Sequence, residues 1–168
     1  MKKLLCVLLC ILFLSGCGKI NTKVNENEIP DFIGFSTDVK TTFNTVDLRA
    51  RATYNEIAGL SVVVNAPESV KGMKIVCKDG ECKVDFQELS FIISHKKLPF
   101  TSFFVALESC AENAKTSTPE DDCYSYGING NLCCLYVDEE TKHFQKLSIN
   151  GSDVIFFENF QYVMGRTE

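Results

Sequence analysis

Tryptophan is absent from this chain of 168 residues, and histidine occurs only twice, at His95 and His143. Two histidines far apart in sequence leave little for imidazole catalysis or a histidine-rich metal site. No G-x-S-x-G, H-E-x-x-H or glycine-rich phosphate loop occurs. The nucleophile elbow, the zinc-protease helix and the nucleotide cradle therefore lack sequence support. Nor is there a basic cluster: acidic residues outnumber basic ones 22 to 17, for a net charge of −5. That balance argues against nucleic acid as a partner. A membrane-spanning run is missing too. The main apolar run, Leu4–Leu14, reaches about 16 Å as a helix. A bilayer core is about 30 Å thick and needs roughly 20 apolar residues. No residue pattern asks for a cofactor.

What the N-terminus has instead is an address. Lys2 and Lys3 precede Leu4–Leu14, and Leu14-Ser15-Gly16-Cys17 follows. A charged start, a short apolar stretch and small residues at a cut site are the layout of a secretory signal. Leu14-Ser15-Gly16-Cys17 resembles the lipobox of bacterial lipoproteins. The resemblance implies that the Cys17 thiol receives a diacylglycerol and that the chain is cut just before it. The protein would then sit at the outer face of the bacterial cell membrane, lipid-anchored. The alternative is a plain secretory signal. Losing Lys2 and Lys3 leaves 15 basic against 22 acidic residues, a net charge of −7. Charge would not hold this chain to anionic lipid, but two acyl chains suffice for stable anchoring. The resulting organisation is 1–16 as signal peptide, 17–31 as lipidated Cys and polar tether, and 32–168 as a single β-rich domain. Gly18–Pro30 can reach roughly 43 Å when extended.

From Phe32 onward the pattern turns to period two. Ile33, Phe35, Thr37, Val39, Thr41 and Phe43 alternate with Gly34, Ser36, Asp38, Lys40 and Thr42. Val46, Leu48, Ala50, Ala52 and Tyr54 do the same in the next stretch, and Leu60, Val62 and Val64 in a third. Strands with one wet face fit an antiparallel sheet. Asp79-Gly80, Asn129-Gly130 and Asn150-Gly151 are two-residue hairpin signals. Between Leu98 and Ala114 the apolar residues fall instead at Phe100, Phe103, Phe104, Leu107, Cys110, Ala111 and Ala114. That is one helical stripe, with Pro99 suited to a first turn. Eight to ten strands and one main amphipathic helix predict a β-rich α+β domain. The sheet must curl, with the helix packed in or over its concave face.

The lipobox, polar tether and long paired strands, the segment Ala58-Gly59-Leu60…Pro67-Glu68-Ser69-Val70-Lys71-Gly72, the Phe-rich helix and the closing hairpins together resemble small Gram-positive lipoproteins with a LolA-like fold. That resemblance covers Phe32 to about Val163. It implies a half-barrel closed by helices around an apolar cavity. LolA itself is a soluble carrier, whereas this chain would be tethered, and the fold does not settle function.

Cysteine is plentiful, with nine residues. Cys6 and Cys10 would leave with the signal and Cys17 would be lipidated. Cys77 and Cys82 face each other across the Asp79-Gly80 hairpin, close enough for a disulfide. Cys110, on the helix stripe, can reach Cys123, Cys133 or Cys134. Neighbouring strand residues point to opposite faces, so Cys133 and Cys134 do not share a partner. Zinc is the rival reading, against the loose Cys77-x4-Cys82 spacing. Buried free thiols are the other. The acidic groups Glu120-Asp121-Asp122 and Asp138-Glu139-Glu140 lack the spacing of a calcium loop and read as solvated loops.

The aromatic set remains. Phe35, Phe43, Tyr54, Phe86 and Phe156 on strands, with Phe100, Phe103, Phe104 and Leu107 on the helix, fall on inferred inner faces. Packing alone accounts for each singly. Together they line a candidate apolar cavity for an acyl chain or a lipidated partner. The leading expectation is a membrane-tethered extracytoplasmic lipoprotein that binds such a hydrophobic ligand. A structural or protein-interaction module of the cell envelope, with a closed core, is the alternative, and a tethered enzyme is the second.

Overall fold

The computed structural model of the chain describes residues 29–43, 45–94, 101–116, 123–128 and 130–165. Segment 1–28, with Cys6, Cys10 and Cys17, lies outside the described residues, as do His95, Phe100 and Glu120-Asp121-Asp122. The side chain of Phe43 does too.

The strands are β1 (Gly34–Phe43), β2 (Val46–Asn55), β3 (Gly59–Ala66), β4 (Lys74–Lys78), β5 (Glu81–Phe86), β6 (Leu89–Ser94), β7 (Cys123–Ile128), β8 (Asn131–Val137), β9 (Phe144–Ile149) and β10 (Ser152–Val163). Among the described residues, one α-helix, α1 (Thr101–Thr116), and a short 3-10 helix at Glu68–Val70 interrupt them. All ten strands pair antiparallel in one sheet, ordered β6-β5-β4-β3-β2-β1-β10-β9-β8-β7. Each half is a meander. The halves meet where β1 pairs with β10.

Turn chemistry sets the hairpins. Asp79 and Gly80 have φ of 51° and 80°, and Asn150 and Gly151 have 51° and 79°, the left-handed pair a tight two-residue turn demands. Period-two burial then follows. Leu48, Ala50, Ala52 and Tyr54 are buried on β2, and Leu60, Val62 and Val64 on β3.

The sheet curls. α1 packs on β3 and also on β7 and β8. In the sheet, β3 and β7 lie six strand spacings apart. A flat sheet would put them about 29 Å apart at roughly 4.8 Å per strand. A helix about 10–12 Å across touches both only if the sheet folds around it.

The expectation of an α+β fold built on a main amphipathic helix is overturned. The described residues are nearly all sheet, with a single short α-helix of 16 residues. The reason is that a curled sheet packs its inner face on itself. Away from α1, the interior is filled by Phe32, Phe35, Phe144, Phe157 and Phe160, all less than 10% exposed. The helix contributes mainly small side chains: Ala106, Cys110, Ala111 and Ala114, with Leu107 and two phenylalanines.

A second correction concerns β10. Phe156 is 44% exposed, not inward. Register shifts occur between Asp153 and Ile155 against β9, and between Ser36 and Asp38 of β1 opposite β10. Each extra residue reverses the alternation. Ile155 and Phe157 therefore point inward, and after Asn159 (φ 51°) the inward residue is Phe160. At this second bulge the buried Thr37 hydroxyl donates to the Glu158 carbonyl at 2.9 Å.

Candidate functional site

The cysteines divide by face. On β4 and β5, Cys77 sits directly opposite Cys82, and a disulfide joins them with Cα atoms 4.1 Å apart. Both are buried on the inner face. A second disulfide joins Cys123 to Cys134, Cα atoms 5.7 Å apart. Its ends are diagonal, since Cys123 pairs with Tyr136 and Cys134 with Ser125. Cys133 points the other way, inward, opposite Tyr126. Cys110 comes down from α1 and its Sγ lies 3.3 Å from the Tyr126 hydroxyl. Of the four cysteines that sequence left without an assigned partner, the structure pairs Cys123 with Cys134 and leaves Cys110 and Cys133 free.

These two free thiols are not set up to attack. Burial pushes the Cys110 thiol up to about 12, outweighing the hydrogen bond with Tyr126. Burial raises Cys133 and the Tyr126 phenol as well. An attacking thiol needs the opposite shift. The His143 ring packs on Phe160 and Tyr162, with centroids 5.5 and 5.7 Å away.

The aromatic set splits three ways. Phe35 stacks between Tyr54 (5.6 Å) and Phe160 (5.4 Å) and meets Phe144 edge-on at 5.7 Å. That end of the concave face is solid. Leu107 is fully buried against the same core. Phe86 is only partly buried near the sheet edge. Among the described residues, Phe103 and Phe104, in T-shaped contact at 5.2 Å, are the members of the set that line open space.

That space is an apolar pocket of about 50 Å³ under the N-terminal end of α1. Leu48, Val62, Val64, Met73 and Ile75 form its floor from the β2–β4 side. Val154 of β10 closes one wall, and Thr41 and Thr42 of β1 line another. Sequence reasoning missed the floor because it looked for rings. Rings fill the curled sheet, and the void remains where aliphatic side chains are shorter. The available signal was the aliphatic set Leu48, Val62-x-Val64 and Met73-x-Ile75 at inward positions.

A second, open concavity is polar, formed by Tyr136, Val137, Asp138, Glu139, Glu140 and Gln145. Asp138 is already committed: it accepts from the Thr141 amide (2.7 Å), the Thr141 hydroxyl (2.8 Å) and the Gln145 amide (3.0 Å). Those bonds hold its carboxyl below the usual range. Among the described residues, no group of three or more His, Cys, Asp or Glu side chains is placed to hold a metal ion. No helix of the described residues is long and apolar enough to cross a membrane.

No family model matches the chain, and no curated protein matches it. Among solved structures the chain is similar to a LolA superfamily protein from Nitrosomonas europaea. The two are 10% identical, the alignment covers 86% of this chain and 92% of that one, and the TM-score is 0.40. A likeness at that level carries no argument about ligand or role.

Proposed function

We propose that this chain is a membrane-tethered extracytoplasmic lipoprotein that binds a hydrophobic ligand, or the acyl part of a lipidated partner, beneath the N-terminal end of α1. The observation that carries the reading is the apolar pocket floored by Leu48, Val62, Val64, Met73 and Ile75 and roofed by Phe103 and Phe104. The two disulfides support an oxidising, extracytoplasmic compartment. Cys17 and the lipobox resemblance support the tether.

Size sets a condition. A dry apolar cavity of about 150 Å³ takes up benzene, so about 50 Å³ holds only the tip of an acyl chain. Entry of more requires Phe103 and Phe104 to swing away from the floor. Each Å² of apolar surface then buried contributes about 25 cal/mol, and the filled aromatic end of the sheet stays in place. α1 acts as a lid hinged at its C-terminal half, where Cys110, Ala111 and Ala114 pack tightly.

Native mass spectrometry of protein expressed in a lipid-rich host tests this. Wild type should carry an added acyl-chain mass. Val64→Phe fills the floor at a cost of about 1–3 kcal/mol, and should keep the fold by circular dichroism while losing the adduct. Wild type that never carries apolar mass, and takes up no apolar dye, overturns the reading.

A second reading, an interaction module of the envelope, is favoured by β6. This edge strand leaves Leu89 65% and Ile92 68% exposed, and its sequence, Leu-Ser-Phe-Ile-Ile-Ser, holds no charge or proline to blunt pairing. Ile92→Lys should alter stability by no more than about 0.5 kcal/mol. If it also abolishes a protein contact detected by crosslinking in intact cells, while leaving the acyl adduct intact, the module reading gains over the first.

A further inference from the structure

Cys110 and Cys133 are the free cysteines among the described residues. They come from different elements, α1 and β8, which pack on each other. Tyr126 links them. It is the cross-strand partner of Cys133, and directly opposed strand residues share a face with Cβ atoms about 4.5–5.5 Å apart. Its hydroxyl is 3.3 Å from Cys110 Sγ. Both thiols and the phenol thus sit in one dry compartment beneath the C-terminal half of α1, at 0%, 1% and 7% exposure for Cys110, Cys133 and Tyr126. The other four described cysteines are already bridged. An environment that oxidises those offers the same oxidant to any thiol pair within reach.

We propose that Cys110 and Cys133 form a third, slowly made disulfide that latches α1 to β8 and so limits how far the helix can lift from the pocket. The role of the latch rests on the pocket reading above; the bond itself does not. The oxidant is a small-molecule disulfide of the glutathione class. One protein thiolate attacks it, forming a mixed disulfide and expelling one glutathione thiolate. The second protein thiolate attacks the protein sulfur of that mixed disulfide, forming Cys110–Cys133 and expelling the other. The protein loses two electrons, the oxidant gains them, and the two thiol protons end on the released glutathione. Both attacks need a thiolate and access, so the bond forms only through local opening of α1.

The test is peptide mapping of the full chain after incubation with oxidised glutathione, with and without mild urea, followed by alkylation in denaturant without reduction. A crosslinked Cys110–Cys133 peptide pair, two hydrogens lighter than the dithiol, should accumulate, and faster in urea. Hydrogen exchange along 105–114 should slow in that species. Cys133→Ala and, independently, Cys110→Ala should abolish both effects. Recovery of the two thiols separately alkylated or separately glutathionylated in all conditions overturns the bond, as does pairing only with other cysteines. If the bond forms and apolar-dye uptake proceeds at the unlatched rate, the latch role is overturned. If no form takes up dye, the pocket reading fails while the bond stands.

Discussion

Phe144 packs among Phe32, Phe35, Phe157, Phe160 and Tyr162, its ring centroid 4.6 Å from that of Phe160. It is 1% exposed, and its neighbours are rings that cannot collapse into the space it leaves. Phe144→Ala should therefore cost about 3–5 kcal/mol, read as a lowered urea midpoint at unchanged slope. Cys110 gives a pH prediction for the dithiol form. Burial raises its thiol from 9.0 to about 12, so the folded state holds the proton more tightly than the unfolded chain. Its contribution to stability is fully present below about pH 9 and is lost as pH rises from there toward 12. Urea unfolding at pH 8 and pH 10.5 should show this loss in wild type and a smaller one in Cys110→Ala. At this scale the sequence was legible where alternation ran unbroken: Phe35, Tyr54, Cys77 and Cys82 all face inward. It misled at Phe156, which lies between two bulges and has its parity reversed by the first, between Asp153 and Ile155; the second, between Glu158 and Gln161, reverses it again. Asn159, a residue type that tolerates left-handed backbone, was the local hint.

Among elements, the hairpins were the most legible part of the chain, since Asp-Gly and Asn-Gly name their own turn geometry. Gly59 is a further case. Its φ is +81°, and a Cβ there would lie 2.2 Å from the Cys77 carbonyl oxygen. Gly59→Ala should destabilise by more than about 1 kcal/mol, with β3 and β4 losing amide protection before the β9–β10 hairpin does. A loss confined to β9–β10 would contradict the placement of that strain. The helix was legible in position and stripe but not in weight. Periodicity marks which face of 101–116 is apolar. It does not tell how much of the concavity the sheet will fill by closing on its own aromatic side chains. The pocket was illegible for the same reason. Its floor on β2–β4 and its Val154 wall are brought together only by the β1–β10 pairing.

For the whole molecule, that pairing governs more than shape. β1 and β10 lie at the centre of the ten-strand order, and each covers the edge that the other would leave open. Asp38 of β1 pairs with Arg51 of β2 at 3.1 Å and accepts from Asn159 of β10 at 2.8 Å, so one carboxylate ties both neighbours to the same strand. Contacts this distant in sequence are entropically expensive to make and slow to form. The first meander, β1–β6, therefore forms with its β1 flank open. It stays in that condition until the last twelve-residue strand arrives. Time, then, is part of this architecture: the chain has no finished half, and a handler that shields the waiting edge of β1 until β10 pairs with it would guard the chain against aggregation.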